Sequence, residues 1–402
     1  VIEHDPRHER RALLTLAAVQ FCHIVDFMIM MPLGPSLIAA LGIGMHQFGI
    51  LVAAYSFSAG ISCLLAATFI DRFERRALLR LLFLLFGLAT LGCALAPDFA
   101  TLLAMRILAG AFGGVLGALV QTMVADLVPF ARRGAANGLI MSAFSLATIA
   151  GIPFSLLLAN QWGWRAPFMF IALLVLLLLL AALRLIPELR QHMRKEEENR
   201  LLADLFAVLA DANLRRAQLF SATLIFSGFM VIPWITLYAV GNVGITMHEI
   251  PLIYLVGGAA TLVSARLIGR WADRFGKQRV FYATALACIL PLLLLTHTGA
   301  APLWLWLVCT TLFFVLISGR MIPAMALVAS APPPPLRGTF MAVNSSAQLL
   351  ANALAATCSG FIVTQSASGA LIGFGTAGWL AVGLNLLAML LAARLMLHEE
   401  RQ

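Results

Sequence analysis

The chain has 402 residues, 61% of them hydrophobic and only 11% charged, with a mean hydropathy of +0.95. Soluble domains carry about 25% charged residues, and a water-soluble fold of this length cannot hide so much apolar side chain, so the solvent is lipid. In a soluble protein the net charge of +9 would raise the question of a nucleic-acid partner; here the cations sit between apolar runs and none is expected.

A membrane span needs about 20 mostly apolar residues. Twelve such runs are predicted, at 12–40, 47–70, 77–96, 100–128, 134–160, 166–187, 216–241, 248–271, 279–297, 302–330, 337–365 and 370–397. Backbone groups in lipid must bond internally, so each run is a helix. The first is too long for a cleavable signal peptide and is followed by more spans, so none is expected. Nearly all Lys and Arg fall on one side of these spans; Arg165 falls on the other, and Arg106 and Arg320 fall inside spans. That asymmetry predicts both termini and the central linker in the cytoplasm. The six cysteines all lie in apolar stretches without paired or metal-type spacing, and read as small hydrophobes.

Span 1 holds Asp26 among Ile, Val, Phe and Met. A carboxylate at the bilayer centre costs at least about 2.5–3.5 kcal/mol. Burial disfavours its charged form and a nearby cation favours it, so a group balanced between the two can load and release a proton. The bland alternative is a permanent structural ion pair. His23 lies one turn away on the same face, either extending a proton path or buried neutral. Span 4 carries Gly110, Gly113, Gly114 and Gly117, a stripe that permits close helix packing. In span 5, Pro153 after Gly151 should bend the helix. The linker's centre, 196–216, is charged but spaces Leu201, Leu202, Leu205, Phe206 and Leu209 on one face. It is expected to be an amphipathic helix on the cytoplasmic leaflet, with a solvated tether as the alternative.

In the second half, span 10 carries Arg320 with no acidic partner deep in a second-half span, Glu249 lying at the very start of span 8. Two intramembrane arginines against one aspartate suggest a positive chamber suited to an anionic or zwitterionic solute, although chloride, water or snorkelling would also satisfy Arg320. Span 11 aligns Asn344, Gln348 and Asn352, one turn apart, with Ser345 beside them. Such a stripe either glues helices together or binds substrate. Trp234 and Tyr238 of span 7 and Phe27 of span 1 form an aromatic wall or serve as packing anchors.

An internal repeat organises the whole. Asp71-Arg-Phe after span 2 recurs as Asp273-Arg-Phe after span 8, and Pro129-Phe-Ala-Arg-Arg133-Gly134 before span 5 recurs as Pro333-Pro-Pro-Leu-Arg337-Gly338 before span 11. Both recur about half a chain apart, the plan of a transporter built from parallel six-span repeats. The expected fold is an all-α membrane protein of twelve transmembrane helices in two pseudo-symmetric six-helix bundles, 1–187 and 216–402, joined by a linker at 188–215.

These motifs resemble the major facilitator superfamily over nearly the whole chain, and within it the twelve-span proton-linked drug and sugar efflux antiporters. The family's loop motif, Gly-x-x-x-Asp-Arg-x-Gly-Arg-Lys/Arg, is similar to Gly269, Asp273, Arg274, Gly276, Lys277 and Arg279. Its first copy keeps Asp71, Arg72, Arg75 and Arg76 but has Ala67 and Glu74 in place of the glycines. Arg106 to Gly110 resembles the Arg-x-x-x-Gly of span 4, and Pro32-Leu-Gly-Pro35 the Pro-x-x-Pro that ends span 1. Gly151-Ile-Pro153 with Trp164-Arg165-x-x-Phe168 resembles the antiporter motif of span 5, except that Ser155 replaces a glycine.

The resemblance implies that Arg106 partners Asp26 and that the span-5 bend seals the cavity against leak. Counting at about 1.5 Å per residue puts Arg106 roughly 12 Å nearer the outer face than Asp26, which leaves direct pairing open. The two loop motifs are expected to act as conformational latches, Asp71 and Asp273 accepting from free N–H groups at helix N-termini. The function implied is proton-coupled efflux of a small amphipathic solute by alternating access, driven by the proton gradient without a cofactor or metal. The chain is expected as a monomer in a cell inner (plasma) membrane, with lipids and the solute as its partners. The alternatives are coupled or facilitated carriage of an organic anion or lysolipid and, from another class, a non-transporting receptor or scaffold. No nucleophile–base pair, metal cluster or Walker-type phosphate loop points to an enzyme.

Overall fold

In the computed structural model the first predicted span is two helices rather than one. Helix α1 (Pro6–Ile29) stops at a turn over residues 30–33, and α2 (Gly34–Leu41) begins with Pro35 in its first turn. Pro32 and Pro35 lack the N–H that continuation would need. The structure describes residues 6–70, 73–129, 132–186 and 200–396. These group into two units. The first draws on residues 1–30 and 54–198, the second on 31–53 and 199–402.

The first unit contains α1, most of α3 (Met45–Phe69), α4 (Arg75–Leu95), α5 (Phe99–Leu127), α6 (Arg133–Leu146), α7 (Ile152–Trp162) and α8 (Ala166–Leu185). Side chains cap two of its helices. Glu74 accepts from the amides of Arg76 and Ala77 at the start of α4, and Asp98 accepts from the Thr101 amide at 2.8 Å at the start of α5. That amide holds the exposed Asp98 carboxyl below the usual carboxylate range. Between α6 and α7 the chain widens into one π-helical turn, Ala147–Gly151.

The second unit contains α2, the start of α3, and α9 (Arg200–Ala210), α10 (Ala212–Phe229), α11 (Ile235–Tyr238), α12 (Ile250–Phe275), α13 (Lys277–His297), α14 (Leu303–Ala329), α15 (Arg337–Ile362) and α16 (Phe374–Ala393). The seventh span starts at Ala212, earlier than expected, because Asp211 accepts from the amides of Asn213 and Leu214 and starts a new helix there. Pro233 then breaks that span into α10, a 3₁₀ turn at Ile232–Trp234, α11 and a π turn at Ala239–Val243. The linker helix forms over 200–210 only. Within it Val208 is fully buried and Phe206 stands 70% exposed. Residues 188–199 lie outside the described residues.

Ten helices among the described residues are long and apolar enough to span a membrane, against the twelve runs expected. The sixth run appears as α8, whose described apolar stretch is the shorter Ala166–Ala182. The eleventh is α15, whose Asn344, Ser345, Ser346, Gln348 and Asn352 dilute its apolar character. A two-stranded hairpin, β1 (Thr364–Gln365) and β2 (Leu371–Ile372), joins α15 to α16. Asn242 ties it down by donating to the Leu371 carbonyl and accepting from the Leu371 amide.

Gly276 alone joins α12 to α13, at φ +94° and ψ 136°. Few side chains tolerate that region, at a strain of about 1–3 kcal/mol. Gly269, the other glycine of the same motif, has no positive φ, and a Cβ there meets open space. Gly276→Ala is therefore expected to lower the unfolding midpoint of the purified protein, whereas Gly269→Ala leaves it within error of wild type.

Candidate functional site

A buried ion pair forms the polar centre of the first unit. Asp26 and Arg106 are both fully buried, and Arg106 Nη1 donates to Asp26 Oδ2 at 2.9 Å and to the Asp26 backbone carbonyl at 3.2 Å. Thr90 Oγ1 of α4 donates to the other carboxylate oxygen at 3.3 Å. The pairing that residue counting left open is direct. The reason is the break after Ile29: Asp26 sits one turn from the end of α1 rather than in the middle of a continuous helix, which brings it to the level of Arg106 on α5.

Tyr55 of α3 completes the cluster. The Arg106 guanidinium carbon lies 4.6 Å from the centre of its ring, within cation–π range. The Tyr55 ring also meets Phe27, at 5.5 Å between centroids, and His23, at 6.1 Å. The glycine stripe of α5 makes this approach possible. A Cβ at Gly110 would overlap the Tyr55 backbone, and one at Gly114 the backbone of Ala59. The small-residue reading of that stripe thus has a definite partner, helix α3. Gly151, in the π turn of span 5, packs on Phe21 and Val25 of α1, beside Asp26, and Pro153 is buried in the first turn of α7. π bulges concentrate at functional sites.

Arg320 is also fully buried. It donates to the Leu224 carbonyl at 3.2 Å and to Ser227 Oγ at 3.4 Å, both on α10, and to Asn385 Oδ1 on α16. Asn385 in turn donates to the Ala285 carbonyl on α13 at 2.8 Å. Among the described residues the guanidinium has neutral acceptors throughout, and it knits four helices together.

The other predicted binding residues are spread through the second unit. Asn344 accepts from Ser221 of α10, leaving its Nδ2 without a partner among the described residues. Gln218 Nε2, one turn before Ser221, and Asn352 Oδ1 are likewise buried and unpartnered. Gln348 reaches the Met325 sulfur, at 3.4 Å. Trp234 is buried as a packing anchor: its Nε1 donates to Ser359 Oγ at 2.8 Å and its ring meets Phe48 edge-on. Tyr238 packs on Phe374, 4.6 Å between centroids.

Of the first loop motif, Asp71 and Arg72 lie outside the described residues. Arg75 is buried and joins Asp126 at 3.2 Å and the Ile70 carbonyl at 2.8 Å. In the second copy Asp273 and Arg274 are exposed, Arg274 lies over the Phe275 ring, and Lys277 approaches Ser330 Oγ at 3.5 Å. Sequence reasoning missed Tyr55, Thr90, Asp126, Ser227 and Asn385. Each is a polar residue in an apolar span or at its end, and only its partner marks it out.

Comparison with known proteins fits this arrangement. An MFS-type transporter of Bacillus subtilis (strain 168), YtbD, itself uncharacterised, is 25% identical over 336 residues, covering 80% of this chain and 83% of its own. The fold resembles a mutant of the nucleoside transporter NupG with a TM-score of 0.79 at 13% identity, covering 97% of this chain and all of that one. It resembles a D-xylose–proton symporter equally well, with a TM-score of 0.79 at 19% identity and 98% and 99% coverage. The family model described as the Major Facilitator Superfamily matches residues 16–356, and again 226–402. A multi-pass membrane transporter rather than an enzyme, the chain belongs to the Major Facilitator Superfamily.

Proposed function

We propose that this transporter couples proton uptake to the export of a small amphipathic solute, with Asp26 as the proton carrier and Arg106 as its charged partner. The observation that carries the reading is the sealed Asp26–Arg106 pair, 2.9 Å apart with neither side chain reaching solvent. Removing one member of such a pair strands the other charge at a high cost. The ionised state of Asp26 is the one in which the pair is balanced, and a solute that draws on the Asp26 carboxylate by hydrogen bonds or positive charge competes with a proton for it. Proton and solute are then linked through one ion pair, and the linkage is reciprocal: the factor by which acid weakens solute binding equals the factor by which solute weakens proton binding. The exchange direction draws support from the span-5 segment, where the π turn and Pro153, in a sequence resembling the antiporter motif, pack beside Asp26.

The test is flux in proteoliposomes under an imposed pH gradient, using a panel of a lipophilic cation, a pentose, a nucleoside and a lysolipid. The wild type is expected to drive at least one panel member against its own gradient, and Asp26→Asn to abolish that gradient-driven flux. Gradient-driven flux that persists in Asp26→Asn overturns the reading. A second reading, carriage of an organic anion, is favoured by the unpartnered amide donors of Gln218 and Asn344, which suit a ligand rich in acceptors. Saturable competition by a monocarboxylate, weakened in Asn344→Leu, would select it.

A further inference from the structure

We propose that His23 and Tyr55 form the proton route to Asp26 and that Gly113 keeps this route open. The inference rests on the proton-coupling reading above. Asp26, Arg106 and Tyr55 are sealed from solvent, at 0%, 0% and 1% exposure, whereas His23 is only half-buried. A proton that reaches Asp26 in this conformation must pass other side chains, and His23 is the member of the cluster with open surface.

The groups along the way are unsatisfied. His23 Nδ1, the Tyr55 hydroxyl and Gln20 Oε1 are buried polar atoms with no hydrogen-bond partner among the described residues. Native proteins fill such vacancies with water when the site is polar and roomy enough. Gly113 lets the two groups come together. A Cβ at this position would overlap the Tyr55 hydroxyl and lie 2.7 Å from His23 Cδ2. Hydroxyl and imidazole therefore converge on a spot that exists because residue 113 has no side chain. On its far side the Tyr55 ring lies against Arg106, whose Nη1 holds Asp26. Gln20 sits one turn before His23 on α1, towards the end that the charge asymmetry assigns to the cytoplasm. The other titratable or charged groups around the route are Cys22 and Asp26 on α1, Cys93 on α4 and Arg106 on α5.

The transfer balances without a further reactant. A proton taken up by His23 is passed from its buried Nδ1 side through a bridging water to the Tyr55 hydroxyl, which releases its own proton through water to the Asp26 carboxylate. His23 and Tyr55 end as they began, and the net change is one carboxylate converted to a carboxylic acid.

The experiment follows the carboxylic-acid C=O stretch of Asp26 by infrared spectroscopy after a pH jump, on the purified full chain in lipid nanodiscs. The band is identified by its loss in Asp26→Asn. His23→Ala is expected to slow its appearance about tenfold or more, and added imidazole to restore the rate, which a merely structural histidine would not allow. Tyr55→Phe removes one oxygen that has no partner among the described residues, so the fold is kept while the rate falls; Gly113→Ala slows it by filling the shared space. Wild-type rates in both His23→Ala and Tyr55→Phe overturn the proposed route while leaving proton coupling intact. If no band disappears in Asp26→Asn, proton coupling at Asp26 itself has failed.

Discussion

Asp26→Leu is expected to destabilise the folded protein by about 3–5 kcal/mol, and the double variant Asp26→Leu/Arg106→Met to recover most of that loss. The single substitution leaves Arg106 fully buried with the Asp26 backbone carbonyl, the Tyr55 ring and the Cys93 thiol as its remaining company. Its Nε has no hydrogen-bond partner among the described residues even in the native chain, so no strong acceptor stands in reserve. In the double variant the stranded cation is gone and two apolar side chains of similar size fill the space. The measurement is denaturant or thermal unfolding in one detergent for wild type, both singles and the double. A double variant no more stable than Asp26→Leu would show that the two sites are not energetically coupled. Gradient-driven flux is expected to be lost in every variant, including the stable double. Well-packed hydrophobic residues often match or exceed a buried ion pair in stability. A pair retained in that position is therefore better explained by what it does than by what it holds together.

That pair also marks how far the sequence could be read. Asp26 was legible because one acid in an apolar run stands out at the level of single residues. The depth of Arg106 was not, because 12–40 reads as one continuous helix; the turn at 30–33 is built from Met, Met, Pro and Leu, three of them as apolar as the helix around them. The amide stripe of span 11 was legible as a polar face, and the same stripe keeps α15 out of the set of helices apolar enough to count as spans. Tyr55, Thr90, Ser227 and Asn385 were invisible for a different reason. Uncharged polar residues are common in spans, and their roles come from partners far along the chain, 64 positions for Thr90 and 93 for Ser227, which periodicity cannot supply. The repeat located the loop motifs but not what they bind: Arg75 pairs with Asp126, at the end of a helix with no mark of a loop partner in its residues. The one-residue turn at Gly276 was not legible either: the spans were expected to end at 271 and restart at 279, whereas the positive φ of this glycine lets α13 follow α12 directly.

The second large effect is expected at Asn385. Asn385→Leu should cost about 1.5–3 kcal/mol, the worth of a hydrogen bond to a charged group, and more if Arg320 cannot shift to water. The argument is one of charge without countercharge. Arg320 is buried among Leu224, Ser227 and Asn385, and among the described residues none of its acceptors is ionised, so each dipole matters more than it would beside a carboxylate. Asn385 matters most because its Nδ2 is anchored on the Ala285 carbonyl, which aims its oxygen at the guanidinium. Arg320→Met removes the charge and should relieve the penalty, so Arg320→Met/Asn385→Leu is expected to be more stable than Asn385→Leu alone. The position of the guanidinium gives this a dynamic consequence. It rests near the C-terminal end of α10, where a cation opposes the negative end of the helix dipole, and just before the chain breaks at Ile232–Trp234. Loosening Arg320 should therefore loosen the broken seventh span first. Hydrogen exchange is expected to quicken at residues 224–234 in both single variants while α1 keeps its native protection. Stability of Asn385→Leu within about 0.5 kcal/mol of wild type, the range of an ordinary surface change, would mean that Arg320 is held by something other than these three acceptors.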